Sequence, residues 1–162
     1  MKRGLNIKTF PLIRGHTFSR LQKYFLLCFA QSILLISKFS VLGKFFNQKL
    51  KNEIEESKKS GKPLSLLLLD IDHFKKYNDT YGHQEGDKAI SKLSRIILDN
   101  IRSTDYACRY GGEEFAIILP DTDKYQAEKY VANRLQAALN KSVFILTRSS
   151  KVYITVSIGI AQ

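Results

Sequence analysis

The chain has 162 residues, 44% of them apolar, and 26 Lys and Arg against 15 Asp and Glu give a formal charge of +11. That length predicts one domain with an extension, and that apolar share supports a core, which excludes a disordered or fibrous chain. Two cysteines, Cys28 and Cys108, exclude a disulfide framework, and no Cys/His set has zinc spacing.

The excess charge lies at the beginning of the chain. Residues 1–44 hold eight Lys or Arg and no acid, whereas residues 45–162 carry 18 basic and 15 acidic side chains. Within this basic extension, Tyr24–Ser37 is a run of fourteen uncharged residues between Lys23 and Lys38. A spanning helix needs about 20 apolar residues, so this run is short. It predicts a partly apolar helix that lies on an anionic membrane surface or packs against protein. The arm has no nucleic-acid-binding motif, so no nucleic-acid partner is expected.

Phe45–Ser60 carries Phe46, Leu50 and Ile54 at helical spacing and stops at Gly61 and Pro63. Leu64–Ile71 reads as a strand buried on both faces. Asp70 and Asp72 leave that strand on one side under its two-residue period. Acids there are costly unless paired, either with a divalent cation or with a neighbouring lysine, Lys75 or Lys76. His73–Asp87 reads as a polar, glycine-punctuated loop with donors and acceptors for phosphate, base edges and metal. Asp87–Ile101 is a helix with Ile90, Leu93, Ile97 and Ile101 on one face.

Tyr106–Tyr110 and Phe115–Leu119 are strand-like runs joined through Gly111 and Gly112. A two-residue glycine connection predicts a tight hairpin with positive φ. Lacking β-carbons, the bend would admit phosphates close to the main chain, and Glu113 and Glu114 at its mouth suit a hard cation. Pro120–Asp123 is a turn, and Lys124–Asn140 is a helix with Ala127, Val131, Leu135 and Ala138 inward. Val143–Thr147 is a short strand and Val152–Ala161 a longer one. This order of elements predicts an α+β, ferredoxin-like fold, a sheet containing antiparallel pairs with helices packed on it.

Asp70-Ile-Asp72-His-Phe-Lys75, Asn78-Asp-Thr-Tyr-Gly-His83, Gly86-Asp87 and Arg109-Tyr-Gly-Gly-Glu-Glu-Phe115 follow one another in this order. Together they resemble the GGDEF domain of the diguanylate cyclase family, over about Phe45 to Ile160. The resemblance implies a palm-like fold shared with nucleotide cyclases and polymerases. It also implies condensation of two GTP into cyclic di-GMP with release of pyrophosphate, by a homodimer that uses Mg²⁺ or Mn²⁺. Asp70, Glu113 and the main-chain carbonyl of Ile71 would hold the metal, and Glu113 would accept the proton of the attacking hydroxyl. Lys75 would meet phosphate, Asn78 and Asp87 would read guanine, and His83, Gly111 and Gly112 would complete the substrate site. Glu113 stands where the family's name has Asp, a variation that active members accept.

Arg102-Ser-Thr-Asp105 falls at the family's inhibitory site for cyclic di-GMP, with Arg134 as a helper. Without the resemblance it would read as an exposed ion pair. A cytoplasmic location is implied, with the inner face of the cell membrane added if the arm meets lipid. A cleaved secretory signal would strand a GTP enzyme outside the cell.

The sequence departs from the family twice. Residues 35–44 lack the usual Asp-x-Leu-Thr-Gly-Leu and Asn-Arg-Arg stretches before the first helix. Family members also continue past the equivalent of Thr155–Ala161 into a helix with a Lys and an Arg for the triphosphate, and then an edge strand. The domain of residues 45–162 is therefore expected to be incomplete at its C-terminal end. The alternative reading is a catalytically impaired module that binds cyclic di-GMP or GTP without turnover.

Overall fold

The computed structural model describes residues 7–9, 40–146 and 151–162. Tyr24–Ser37, the short apolar run, lies outside the described residues.

Strand β1 (Ile7–Thr9) is followed by helix α1 (Ser40–Ser60), which begins five residues before the expected Phe45 and so crosses the 44/45 boundary. Then come β2 (Leu64–Ile71), α2 (Phe74–Tyr81), α3 (His83–Asp99), β3 (Tyr106–Arg109) and β4 (Glu114–Pro120). Helix α4 starts as Lys124–Gln126, widens to a π turn over Ala127–Ala132 and continues as Asn133–Lys141. Strands β5 (Ile145–Leu146), β6 (Lys151–Val152) and β7 (Val156–Ala161) complete the chain.

The main sheet has the order β1-β7-β2-β4-β3, with β5 and β6 forming a separate ribbon. β2 is antiparallel to both β4 and β7, β3 is antiparallel to β4, and β1 runs parallel to β7. This is the mixed helix and antiparallel-sheet architecture expected from the order of elements.

One face of the sheet makes the main core. Leu67, Leu69 and Ile71 of β2 meet Phe115, Ile117 and Leu119 of β4 and Ile158 and Ile160 of β7. Ile90, Leu93 and Ile97 of α3 and Leu135 and Leu139 of α4 close over them. Each such side chain contributes roughly 1.5–3 kcal/mol on burial. On the other face α1 packs Phe46 on Ala116 and Ile118, with Leu64 and Leu66 of β2 at the edge of the same cluster.

Several local expectations are corrected. β2 is fully buried on one face only: on the other, Leu64 and Leu66 are half-buried beneath α1, whereas Leu68 is 39% exposed. The loop expected over His73–Asp87 is instead two short helical segments broken at Gly82 (φ 85°), with α3 starting at His83 rather than Asp87. Phe74 and Tyr77, three residues apart, bury one side of α2 and hold it in place despite its polar composition. Neither Gly111 nor Gly112 has positive φ, so the hairpin bend is not the two-residue turn expected. The connection is longer, running from Tyr110 to Glu113 between the two strands. The long final strand is split: Lys151–Val152 pairs with β5, while Val156–Ala161 joins the main sheet. In α4 the π turn adds a residue per turn, which moves the inward position from the expected Ala138 to fully buried Leu139.

Candidate active site

β2 delivers Asp70 to the end of the sheet, opposite Glu114 of β4 and Ser157 of β7. Glu113, the residue before β4, is tied to β2 by its carbonyl, which accepts from the Ile71 N–H at 3.4 Å. Two segments far apart in sequence, each carrying an acid, are thus joined at this end of the sheet. Burial, the largest cause, and then the Asp72 carboxylate hold Asp70 above the usual carboxylate range. Glu113 is raised in the same way, by burial first and then by Asp70 and Glu114. The effect of Asp70 on Glu113 places the two within electrostatic range of each other.

Asp72 is fixed separately. Its carboxylate accepts from Ser157 Oγ at 2.6 Å and its N–H donates to the Thr155 carbonyl at 3.0 Å. Immediately after it, His73 adopts a left-handed conformation (φ 57°) that turns the strand into α2. Among the described residues, no ion pair joins Lys75 or Lys76 to Asp70. The lysine alternative for these acids is therefore not realised.

Among the described residues no three His, Cys, Asp or Glu side chains cluster around a metal position. The donor set still fits Mg²⁺, which keeps several waters and takes one or two carboxylates together with substrate phosphates. Asp70, Glu113 and the Ile71 carbonyl are the groups that could hold it.

The residues expected on the substrate side lie on α2 and α3. Lys75 is exposed on the first turn of α2, and His83 and Asp87 are exposed on the first turns of α3. Asn78 packs its side-chain oxygen against Gly86, where a β-carbon would collide with it. That brings Asn78 beside Asp87's own segment. Asn78 Oδ1 is buried without a hydrogen-bond partner. Asp105 Oδ1 is the other buried side-chain atom in that state among the described residues. An unmet buried acceptor costs about 1–3 kcal/mol; Asn78 falls at a position expected to read guanine and Asp105 at the expected inhibitory site.

The two glycines differ in purpose. A β-carbon on Gly111 would strike the Glu114 carboxylate, whereas one on Gly112 would meet nothing within 4 Å. Gly112 therefore leaves the main chain open to an approaching group.

Arg102 and Asp105 close a turn at the other end of β3. Asp105 is 8% exposed; its Oδ2 accepts from the Arg102 N–H at 2.8 Å, leaving the Arg102 side chain exposed. A cleft of about 390 Å³ opens beside them, walled by Phe45, Phe46 and Lys49 of α1 and by Leu98, Tyr106 and Cys108. Lys49 sits 4.0 Å over the Tyr106 ring, and burial pushes the Cys108 thiol up to about 11. Arg134 Nη2 donates to the Asn100 carbonyl, which places this helper beside the same turn. Sequence reasoning missed Ser157 and the loop contacts of Arg109. Ser157 could have been found from its alternation with apolar Val156 and Ile158, which sets it on the face of Asp70.

The chain is similar to known proteins in both sequence and fold. The family profile described as "Diguanylate cyclase, GGDEF domain" matches residues 44–162. Diguanylate cyclase DosC of Escherichia coli K12 is 36% identical over 127 residues, covering 75% of this chain and 27% of DosC. The chain thus spans about a quarter of that relative's length. The crystal structure of the GGDEF domain of DgcB from Caulobacter crescentus, in complex with c-di-GMP, superposes with a TM-score of 0.66 at 34% identity. That match covers 73% of this chain and 70% of that one. The active GGEEF domain of a diguanylate cyclase from Vibrio cholerae gives a TM-score of 0.60 at 26% identity, covering 68% and 70%.

Proposed function

Since the chain belongs to the GGDEF-domain family of diguanylate cyclases, we propose that it condenses two GTP into cyclic di-GMP with release of pyrophosphate. The observation that supports this reading is the backbone bond between Ile71 and Glu113, which joins the segments carrying Asp70 and Glu113 next to Gly112. In each condensation the 3′-hydroxyl of one GTP attacks the α-phosphorus of the other. A new O–P bond forms, the α–β bridge breaks, and pyrophosphate leaves.

Glu113 accepts the hydroxyl proton. Asn78 and Asp87 orient the guanine, since an amide and a carboxylate together match its donors and acceptors. Lys75 and His83 approach the nucleotide from α2 and α3, and Gly112 admits phosphate to the backbone. Mg²⁺ or Mn²⁺, held by Asp70, Glu113 and the Ile71 carbonyl, would supply charge for the phosphates and acidify the hydroxyl. Two such sites must face each other, so the working unit is a homodimer. GTP as substrate puts the protein in the cytoplasm. Contact of residues 1–44 with an anionic membrane surface rests on their eight basic residues and lack of acids. Among the described residues no helix is long and apolar enough to cross a membrane.

Arg102 and Asp105 form the inhibitory site for cyclic di-GMP, with Arg134 beside them. Arg supplies a planar fork for phosphate and purine edges, and the free oxygen of Asp105 awaits a donor.

The test is turnover of GTP by the purified chain with Mg²⁺ or Mn²⁺, followed by chromatography of the products. Cyclic di-GMP should form, and Glu113→Gln should lower the rate at least about 100-fold. If GTP is untouched while labelled cyclic di-GMP still binds, the chain is a binding module instead. Unchanged turnover in Glu113→Gln would refute the role given to that residue.

A further inference from the structure

The loop between β3 and β4 is gripped from two sides. Arg109 Nε donates to the carbonyls of Gly111 and Gly112, each at 3.1 Å, and its Nη2 donates to Gly112 again at 2.7 Å. From the other side, the Glu114 carbonyl accepts from the Tyr110 N–H at 2.8 Å and the Gly111 N–H at 3.2 Å. The Glu114 side chain fills the space that a β-carbon on Gly111 would need. One guanidinium therefore gathers the two carbonyls that precede Glu113.

No left-handed glycine locks this loop, so its shape depends on those bonds. A planar fork with several donors can bond both carbonyls at once; a lysine ammonium offers a point charge on a flexible stem.

We propose that Arg109 is a positioning residue, which fixes the loop carrying Glu113 by bonding the carbonyls of Gly111 and Gly112. The inference rests on the role given above to Glu113. Groups that orient a metal's ligands carry typical losses of about 10–100-fold in affinity or activity when removed.

The test uses the full chain with Arg109→Ala and Arg109→Lys, each checked for an unchanged circular dichroism spectrum. Hydrogen exchange is followed without metal or nucleotide, on peptides covering residues 106–116. Mn²⁺ binding is read by electron paramagnetic resonance in the presence of a non-hydrolysable GTP analogue, and turnover is measured last. In both variants the loop amides should exchange at least about tenfold faster, and Mn²⁺ affinity and kcat should fall about 10–100-fold. KM for GTP should move little, and added guanidinium ion should restore part of the loss in Arg109→Ala. Unchanged exchange would overturn the proposal. So would unchanged Mn²⁺ affinity, or an effect confined to KM, which would mean that Arg109 touches the nucleotide directly.

Glu113→Gln separates this inference from the cyclase reading. It should lose Mn²⁺ while keeping wild-type loop exchange. If Glu113→Gln retains both Mn²⁺ binding and turnover, the role of Glu113 fails, whereas the grip of Arg109 is still decided by exchange.

Discussion

Asp70 and Glu113 are poorly placed for a protein without a cation. Both carboxyls are held above their usual range by burial and by neighbouring acids. A raised acid pKa means that the folded state binds the proton more tightly than the unfolded chain. Stability of the metal-free protein therefore falls as pH rises from the ordinary values of 3.8 and 4.5 through the raised ones. Replacing Asp70 by Asn removes one repelling charge, so its Tm at pH 7 without metal should exceed wild type by about 1–3 °C, a small gain because both groups are partly solvated. That advantage should vanish near pH 4, where the acids are protonated, and reverse when Mg²⁺ and GTP are added. Thermal scans at the two pH values check it; a wild type more stable than Asp70→Asn at pH 7 without metal would contradict the electrostatics. The sequence announced these two acids, because strand period and hairpin position are local. It did not announce Arg109 or Ser157, whose importance lies in contacts made by folding: Arg109 bonds backward onto its own loop, and Ser157 reaches Asp72 across 85 residues.

Among the elements, the strands were more legible than the helices that carry the proposed substrate residues. β2 begins and ends where its apolar run does, at Leu64 and Ile71. α2 was read as loop because Lys75, Lys76, Asn78, Asp79 and Thr80 look polar throughout; only Phe74 and Tyr77 report its buried side. The split of the final strand was hidden for a similar reason: Val152–Ala161 is uniformly strand-like, and only pairing partners decide which sheet each part joins. The contact between α2 and α3 yields a prediction with an unusual sign. In an α-helix, Gly→Ala alone should stabilise by about 1 kcal/mol. At Gly86 the new methyl would displace the end of the Asn78 side chain and press on Phe74 at 3.2 Å. Gly86→Ala should therefore fold with a Tm within a few degrees of wild type, yet raise KM for GTP about tenfold, as Asn78→Ala should too; one lost, well-placed hydrogen bond is worth about 1.4 kcal/mol. Steady-state kinetics of the two variants side by side test it, and a Gly86→Ala enzyme with wild-type KM would show that Asn78 does not read the base.

In the whole molecule, β3 and β4 form a ribbon with the two candidate sites at its opposite ends. Arg102 and Asp105 precede β3, and the loop of Gly111, Gly112 and Glu113 follows it. The antiparallel register, Tyr106 with Ile118 through Arg109 with Phe115, makes the ribbon continuous between them. Arg102→Ala should weaken binding of labelled cyclic di-GMP at least about tenfold, since a charged hydrogen bond to phosphate contributes about 1.5–3 kcal/mol. Equilibrium dialysis with the labelled nucleotide measures this, and unchanged binding would remove Arg102 from the site. The general fold was readable because four separated motifs and the order of strands and helices agreed. The half-covered second face was not, since a leucine run in β2 cannot say which of its sides a helix will reach.

α1 has a consequence beyond covering that face. Phe45, Phe46 and Lys49 form one wall of the cleft beside Arg102, while the sheet and the end of α3 form the other. A helix so placed cannot tilt without changing the width of the cleft. If the cleft takes the proposed effector, a pull transmitted along α1 would retune how firmly that effector is gripped, with no residue of the cleft itself substituted.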